Sequence, residues 1–133
     1  MKHIIATTVL AVALTGGALT AHAASDTAGD AAAGAKVFKS SCARCHTIDE
    51  GGKNKVGPNL FGVFGATAGK RVASFEKRHS KAMKGSGIVW DEKTLDGFLA
   101  NPRKFMAKNR MSFAGVKKAG DRENLIAYLK AAQ

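Results

Sequence analysis

The sequence predicts an all-α fold of short helices joined by long loops. Three groups of apolar residues with helical spacing each follow an aspartate that can cap a helix, namely Asp30, Asp91 and Asp121. No stretch shows the sustained alternation of apolar and polar residues that is typical of a strand, and no repeat of about 20 to 50 residues is present. We therefore expect one helical domain.

The N-terminal segment 1–23 has the composition of a secretory signal peptide. Lys2 gives a positive start, an apolar stretch covers 4–14, and Ala21-His22-Ala23 has the small-x-small pattern of a cleavage site. An uncleaved membrane anchor is the alternative, but the apolar stretch is shorter than the roughly 20 residues that span a membrane. We expect a protein exported to the periplasm, with the segment 24–133 as its mature domain.

The first part of the mature chain predicts one helix followed by a loop. Asp30 can cap a helix over 31–39, in which Gly34 and Phe38 share one face. The segment 51–69 is rich in glycine and predicts irregular structure.

Two further helices are predicted in the second half of the chain. Asp91 can cap one of them, and Asn101-Pro102 ends it. Asp121 can cap the last helix. The apolar faces of these helices are Leu95, Phe98 and Leu99 in the first and Leu125, Ile126, Tyr128 and Leu129 in the second.

Cys42, Cys45 and His46 form a C-x-x-C-H motif, which indicates covalent attachment of haem. Two thiols on one tight helical turn can each form a thioether with one vinyl group of a haem, and the adjacent imidazole then supplies the proximal nitrogen to the iron. One haem c with its iron is therefore the expected cofactor. A tethered haem would also supply much of the apolar core of so small a chain.

Two other interpretations of the cysteines are weaker. A thioredoxin-like redox pair would lie in a βαβ pattern, and none is visible. A zinc site would have only Cys42, Cys45, His46 and His79 as soft ligands in the mature chain, and His46 is too close to Cys45 for an easy tetrahedron.

The second axial ligand of the iron has four candidates in the mature chain, His79, Met83, Met106 and Met111. Met111 lies in a predicted loop between two helices. A thioether favours Fe(II), so a histidine and methionine pair raises the reduction potential. Each methionine could equally be an ordinary core residue.

Several motifs in the same order resemble those of the soluble monohaem class I cytochromes c of mitochondria and bacterial periplasms. The resemblance extends from about Gly29 to the C-terminus. Its motifs are Cys42-Ala43-Arg44-Cys45-His46-Thr47, Val56-Gly57-Pro58-Asn59-Leu60-Phe61-Gly62, Trp90, Asn101-Pro102-Arg103-Lys104, Met111-Ser112-Phe113-Ala114-Gly115 and Leu125-Ile126-Ala127-Tyr128-Leu129.

The resemblance implies a small cytochrome c fold and a role for each site residue. Met111 matches the distal iron ligand opposite His46, and Pro58 the residue whose carbonyl accepts the proximal imidazole N–H. Trp90 matches the indole that donates to a haem propionate. The resemblance also implies that the N- and C-terminal helices cross, with Gly34 and Phe38 packed on Leu125 and Tyr128.

The sequence departs from the family in the loop that carries the distal ligand and near it. Phe98 stands where many members have a tyrosine that bonds to the methionine sulfur, and Ala107 and Lys108 replace a common Pro-Gly. About three extra residues lie between Gly69 and Gly87 by comparison with mitochondrial members. A mobile ligand loop follows from these departures, and Met106, Lys104 or Lys108 could replace Met111 at high pH.

With both axial positions filled, the protein is expected to be a one-electron carrier that cycles between Fe(III) and Fe(II) and has no catalytic residues. No hydrolytic triad, phosphate-binding glycine motif or acid pair indicates an enzyme. The alternative is a haem protein with a labile sixth ligand, acting as a peroxidase or a small-ligand sensor. Carbon monoxide binding to the reduced protein distinguishes the two.

The charge of +11 predicts acidic redox partners. The resemblance places the following cations around the haem edge: Lys36, Lys39, Arg44, Lys53, Lys55, Arg103, Lys104, Arg110, Lys117 and Lys118. Partners of this kind are a cytochrome bc-type complex, a terminal oxidase, a reductase, a photosynthetic reaction centre or a periplasmic dehydrogenase. Nucleic acid is not expected, because no aromatic residues are interleaved with the charges. We expect a monomer that is at most peripheral to the membrane.

Overall fold

The computed structural model describes residues 29–133, and the predicted signal peptide lies outside them. The helices are α1 (Ala31–Ser41), a 3₁₀ helix (Ala73–Arg78), α2 (Lys81–Gly85), α3 (Glu92–Ala100), α4 (Pro102–Phe105) and α5 (Ala119–Ala131). Within 29–133 the β-structure is limited to one isolated bridge between Thr67 and Val89. The all-α prediction is confirmed. No helix in this part of the chain has the length and apolarity needed to cross a membrane.

Asp30 fixes the start of α1 as predicted. Its carboxylate accepts hydrogen bonds from the N–H groups of Ala32 and Ala33 at 2.8 and 3.3 Å. Its own N–H donates to the side-chain oxygen of Asn124 in α5 at 2.7 Å. The cap therefore satisfies free N–H groups of α1 and also ties this end of α1 to α5.

The crossing of α1 and α5 depends on Gly34. A Cβ atom built on Gly34 would overlap the backbone carbonyl of Asn124 and come within 2.8 Å of the Tyr128 Cβ. One turn later, the rings of Phe38 and Tyr128 pack with their centroids 5.6 Å apart. The predicted packing of the N- and C-terminal helices is confirmed, and a missing side chain makes the close approach possible.

Replacement of Gly34 by alanine is expected to lower the free energy of unfolding by about 1–3 kcal/mol or more, because the backbone of α5 must move away. Gly120→Ala in α5 is the matched control. No atom lies within 4 Å of a Cβ at Gly120, so this change should stabilise by about 0.4–1 kcal/mol. Denaturant unfolding of the holoprotein measures both values, and equal effects of the two substitutions would contradict this account of the helix crossing.

The structure confirms the cap and the buried face of α3. Asp91 and Thr94 form a capping box, and the apolar residues Leu95, Phe98 and Leu99 are buried. The side chain of Asn101 then accepts from the Lys104 N–H at 3.1 Å and caps the short helix α4.

The predicted cap of the last helix is wrong. Helix α5 begins at Ala119, with Lys118 at the cap position and no side-chain cap. Asp121 lies in the first turn of α5, where a negative charge is favourable because it faces the positive end of the helix dipole. An aspartate in the first turn and an aspartate cap look alike in a sequence, so the pattern misplaced the boundary by a few residues.

The sequence analysis also missed the 3₁₀ helix and α2. Both are too short to show a helical period, and they lie in the stretch with about three extra residues. Ser80 caps α2, accepting the Met83 N–H at 3.0 Å. These two turns lead the chain around the cavity described next.

Candidate functional site

A cavity of about 510 Å³ lies between the loop after α1, the loop before α5 and the inner faces of α3 and α5. Its lining is mostly apolar, with Leu95, Leu99 and Leu129 among the wall residues. The structure brings all of the predicted site residues to this cavity. They are Cys42, Cys45, His46, Pro58, Trp90 and Met111.

The two cysteines reach the cavity through a tight turn at the end of α1. The N–H groups of Cys45 and His46 both donate to the Cys42 carbonyl at 3.0 Å, and the two cysteines are not joined by a disulfide. Burial, with a smaller effect from Cys45, raises the pKa of the Cys42 thiol to about 11. Redox-active cysteines have lowered pKa values. A raised value argues against a thioredoxin-like pair.

The His46 imidazole is fixed in one tautomer by Pro58. Its Nδ1 lies 2.8 Å from the Pro58 carbonyl oxygen, and because a carbonyl can only accept, Nδ1 must carry the proton. The lone pair is left on Nε2, the atom available to a metal. Burial lowers the pKa of His46, opposed by the hydrogen bond to Pro58 and reinforced by Lys55. The lowered pKa favours the neutral ring, which is the form that binds a metal.

Gly57 allows the loop 55–58, which we call the proximal loop, to lie directly against the His46 imidazole. A Cβ at Gly57 would overlap the His46 imidazole. The loop can therefore come this close to the ring only with glycine at this position. The Gly57 N–H also donates to the Cys45 carbonyl at 2.8 Å. The predicted motif residues thus hold the imidazole by contact as well as by the hydrogen bond.

The structure places three of the four candidates for the second ligand at the cavity and the fourth in the core. Met111, Met83 and His79 all line the cavity. Met106 does not line it, and with 6% of its surface exposed it belongs to the core. The lysines proposed as substitutes, Lys104 and Lys108, are exposed.

Asn109, which the sequence analysis did not single out, positions the loop that carries Met111. Its side-chain oxygen accepts the Met111 N–H at 2.8 Å. Its side-chain nitrogen donates to the carbonyls of Met106 and Pro102 at 2.7 and 2.8 Å. An asparagine two residues before a candidate ligand in a loop was the available signal. The preceding Lys108 has a φ of 62°, so the loop adopts a left-handed turn that favours glycine.

Aromatic residues form the inner end of the cavity. Trp90 is buried and packs on Phe98, with ring centroids 4.9 Å apart. Trp90 and Phe98 both line the cavity. Phe98 offers no hydroxyl group to Met111.

Sequence analysis also missed two arginines that line the cavity, Arg71 and Arg78. The Arg71 guanidinium donates to the Asn59 carbonyl. The Arg78 guanidinium donates to the carbonyls of Lys55 and Val56. Only the fold shows that these residues line the cavity, because Arg71 lies in irregular structure and Arg78 ends the short 3₁₀ helix, and neither segment has a recognised motif.

Comparison with known proteins identifies the family of this chain. The model of the family described as cytochrome c matches residues 31–133. Cytochrome c of Theileria annulata is 53% identical over 104 residues, which cover 78% of this chain and 87% of that protein. Cytochrome c of Chlamydomonas reinhardtii is 50% identical over 105 residues, which cover 79% of this chain and 91% of that protein.

The chain belongs to the cytochrome c family. Members of this family carry one covalently attached haem c, so the predicted cofactor is confirmed. The residues of the cavity fit such a group. Two thiols, an imidazole whose Nε2 is not used by the hydrogen bond to Pro58, and the Trp90 side chain all border one apolar space.

The relatives contradict the predicted periplasmic location. Both of the cytochromes c named above, and that of Nigella damascena at 46% identity over 103 residues (77% of this chain, 90% of that protein), come from eukaryotes, whose cells have no periplasm. The prediction of a periplasmic protein is therefore wrong. It depended on a basic start and a short apolar stretch, and the matched family segment begins only at residue 31. The composition of a leader does not identify a compartment.

Proposed function

We propose that this cytochrome c is a one-electron carrier in which His46 and Met111 are the axial ligands of the haem iron and Cys42 and Cys45 hold the haem through thioethers. The observation that carries the proposal is that these four side chains, from two separate loops, border one apolar cavity. When bound, the haem supplies one-electron chemistry between Fe(III) and Fe(II).

The contribution of the protein is to keep the site the same in both oxidation states. Pro58 fixes the orientation and tautomer of His46, and Asn109 fixes the backbone of Met111. The apolar wall limits the entry of water. A site whose ligands do not rearrange can gain or lose an electron quickly. Potentiometric titration of the holoprotein tests this function: a reversible transition of one electron supports it, and irreversible or absent reduction contradicts it.

Exposed cations without acidic neighbours support docking to acidic redox proteins. All ten cations of the predicted basic surface are exposed. Within residues 29–133 there are two ion pairs, Arg122 with Asp96 and Lys130 with Glu92, and neither uses one of these ten. The basic surface is therefore not neutralised by the protein itself, and Arg44 and Arg110 on it border the cavity. Such a surface speeds association with an acidic partner and favours short-lived complexes.

Reversal of charge at Arg44 is expected to slow electron transfer to an acidic redox partner about three- to tenfold at low ionic strength. Lys93→Glu is the matched control, because Lys93 is an exposed cation in α3 that does not border the cavity. Stopped-flow rates at low and physiological salt, compared at equal haem content, measure the effect. We expect the wild-type rate to fall with salt. Equal slowing by both substitutions, or a rate independent of salt, would contradict docking at the part of the basic surface that borders the cavity.

We also propose that 24–133 is the functional domain and that 1–23 is a removable leader. The mass of the protein purified from cells tests this boundary. Candidate partners are a cytochrome bc-type complex, a terminal oxidase, a reductase or a photosynthetic reaction centre, all of which exchange single electrons. The protein would bind them as a monomer.

A further inference from the structure

Two arginines connect the loops that carry the two proposed iron ligands. The Nη2 of Arg78 donates to the carbonyl oxygens of Lys55 and Val56 at 2.9 and 3.0 Å. The backbone carbonyl of Arg78 accepts a hydrogen bond from the Nη1 of Arg110 at 3.1 Å. We call Arg78 and Arg110 together the arginine strap. It runs from the proximal loop through the end of the 3₁₀ helix to the loop 106–118, which carries Met111 and which we call the distal loop.

The strap is attached close to both ligands. Val56 lies two residues before Pro58, whose carbonyl holds His46, and Arg110 is bonded directly to Met111 in the chain. Arg78 and Arg110 also border the same cavity as these ligands. A movement that took Met111 away from the cavity would have to break or stretch the strap.

The side chain of Arg78 also contacts an aromatic ring. Its guanidinium carbon lies 4.3 Å from the centroid of the Phe75 ring. Phe75 is buried, and its ring packs edge-on against His79 with centroids 5.0 Å apart. A guanidinium resting on a fixed aromatic ring loses less freedom when it forms its hydrogen bonds, and a fork of two charged hydrogen bonds is stronger than neutral ones.

The distal loop needs such support. Lys108 holds a left-handed backbone conformation, with a φ of 62°, which is unfavourable in a residue other than glycine. Phe98 cannot donate a hydrogen bond toward Met111. Asn109 braces the loop from within, whereas the strap is attached from outside it, at a residue adjacent to the ligand.

We propose that Arg78 is a positioning residue which, through Arg110, holds the Met111 loop against the proximal loop and so limits release of the thioether and entry of outside ligands. The inference rests on the proposed function, in which Met111 is the distal ligand.

Imidazole binding to the oxidised holoprotein at pH 8 tests the strap. We expect Arg78→Ala to raise the apparent affinity for imidazole about tenfold, the effect of losing one to two charge-assisted hydrogen bonds. Arg78→Lys should give a smaller increase, because an ammonium keeps the charge without the planar fork. Lys77→Ala is the matched control, since Lys77 is an exposed cation of the same helix that does not border the cavity.

A double-mutant cycle with Arg110→Ala tests whether the strap acts as a unit. If it does, Arg110→Ala alone raises the affinity for imidazole by a similar factor. The affinity of the double variant is then only slightly higher than that of either single variant, and well below the value obtained by multiplying the two single effects. Two single effects on the imidazole affinity that multiply in the double variant would overturn the strap. An Arg78→Ala protein that binds imidazole no more tightly than Lys77→Ala or the wild type would also overturn it. If Arg78→Ala does not fold, Arg78→Lys and Arg110→Ala make the same test.

The near-infrared band of Fe(III)–thioether bonding is the second readout. The fraction of protein that retains this band as pH rises should fall earlier in Arg78→Ala than in Lys77→Ala, while their thermal unfolding midpoints stay close. An unchanged pH midpoint overturns the strap. If the wild-type protein itself lacks the band, the proposed function fails instead, which separates the two failures.

Discussion

A protein in which Cys42 and Cys45 are both replaced by alanine is expected to lose covalent haem and with it the cooperative fold. The cavity of about 510 Å³ lies against the core of the described chain. At about 24 cal/mol per Å³, an empty cavity of this size would cost up to about 12 kcal/mol. That lies within the range of the usual stability of a domain, about 5–15 kcal/mol, so it could cancel most or all of the stability. Water entering the cavity would reduce the cost but would wet an apolar wall.

The measurement combines the mass of the denatured protein with thermal unfolding followed by circular dichroism. Wild-type protein should carry the mass of one haem and unfold cooperatively, whereas the double variant should carry none and show no cooperative transition. The single variant Cys42→Ala is the control, because one thioether through Cys45 can still tether the haem. Cooperative unfolding of the double variant without haem would show that the protein builds its core without the cofactor.

Replacement of Met111 and Met106 by alanine should give opposite results. Met111→Ala is expected to abolish the near-infrared band of the oxidised protein, lower the reduction potential and let the reduced protein bind carbon monoxide, because the thioether that stabilises Fe(II) is gone. Met106→Ala should keep the band. It should lower the free energy of unfolding by about 2–5 kcal/mol, because Met106 is a core side chain with 6% exposure.

The spectra in both oxidation states and denaturant unfolding of both variants measure these effects. Loss of the band in Met106→Ala with retention in Met111→Ala would reverse the ligand assignment. Retention of the band in both variants would point to Met83, the other methionine that borders the cavity. Absence of the band from the wild-type protein would point to His79, which also borders the cavity but has no sulfur.

The parts of the fold that the sequence predicted are those with strong local signals. Asp30 and Asp91 precede apolar residues at helical spacing, and both cap helices. Asp121 gave the same local signal but lies inside the first turn of α5. The prediction was wrong because a cap and a first-turn charge differ only in backbone geometry, which the sequence does not show. The 3₁₀ helix and α2 carried no period long enough to detect.

Some residues of the site could likewise be predicted from a local motif, whereas others could not. The C-x-x-C-H motif is highly specific for haem attachment, so Cys42, Cys45 and His46 could be named from their spacing. Met111 could not be distinguished from the other methionines by spacing and was selected by family resemblance. Asn109 bonds to backbone groups near it in the chain, so its position two residues before Met111 was a usable signal. Arg71 and Arg78 instead donate to backbone carbonyls that are 12 to 23 residues away. Such partners depend on how the loops fold back on one another, and no local pattern encodes them.

The optical spectrum of the purified protein, recorded oxidised and reduced, tests most directly whether a single haem is tethered at Cys42 and Cys45 and ligated by His46 and Met111. The account predicts the bands of a six-coordinate low-spin c-type haem in both states, with the near-infrared thioether band in the oxidised state only. A colourless protein, or a haem spectrum that is high-spin and lacks the near-infrared band, would contradict it.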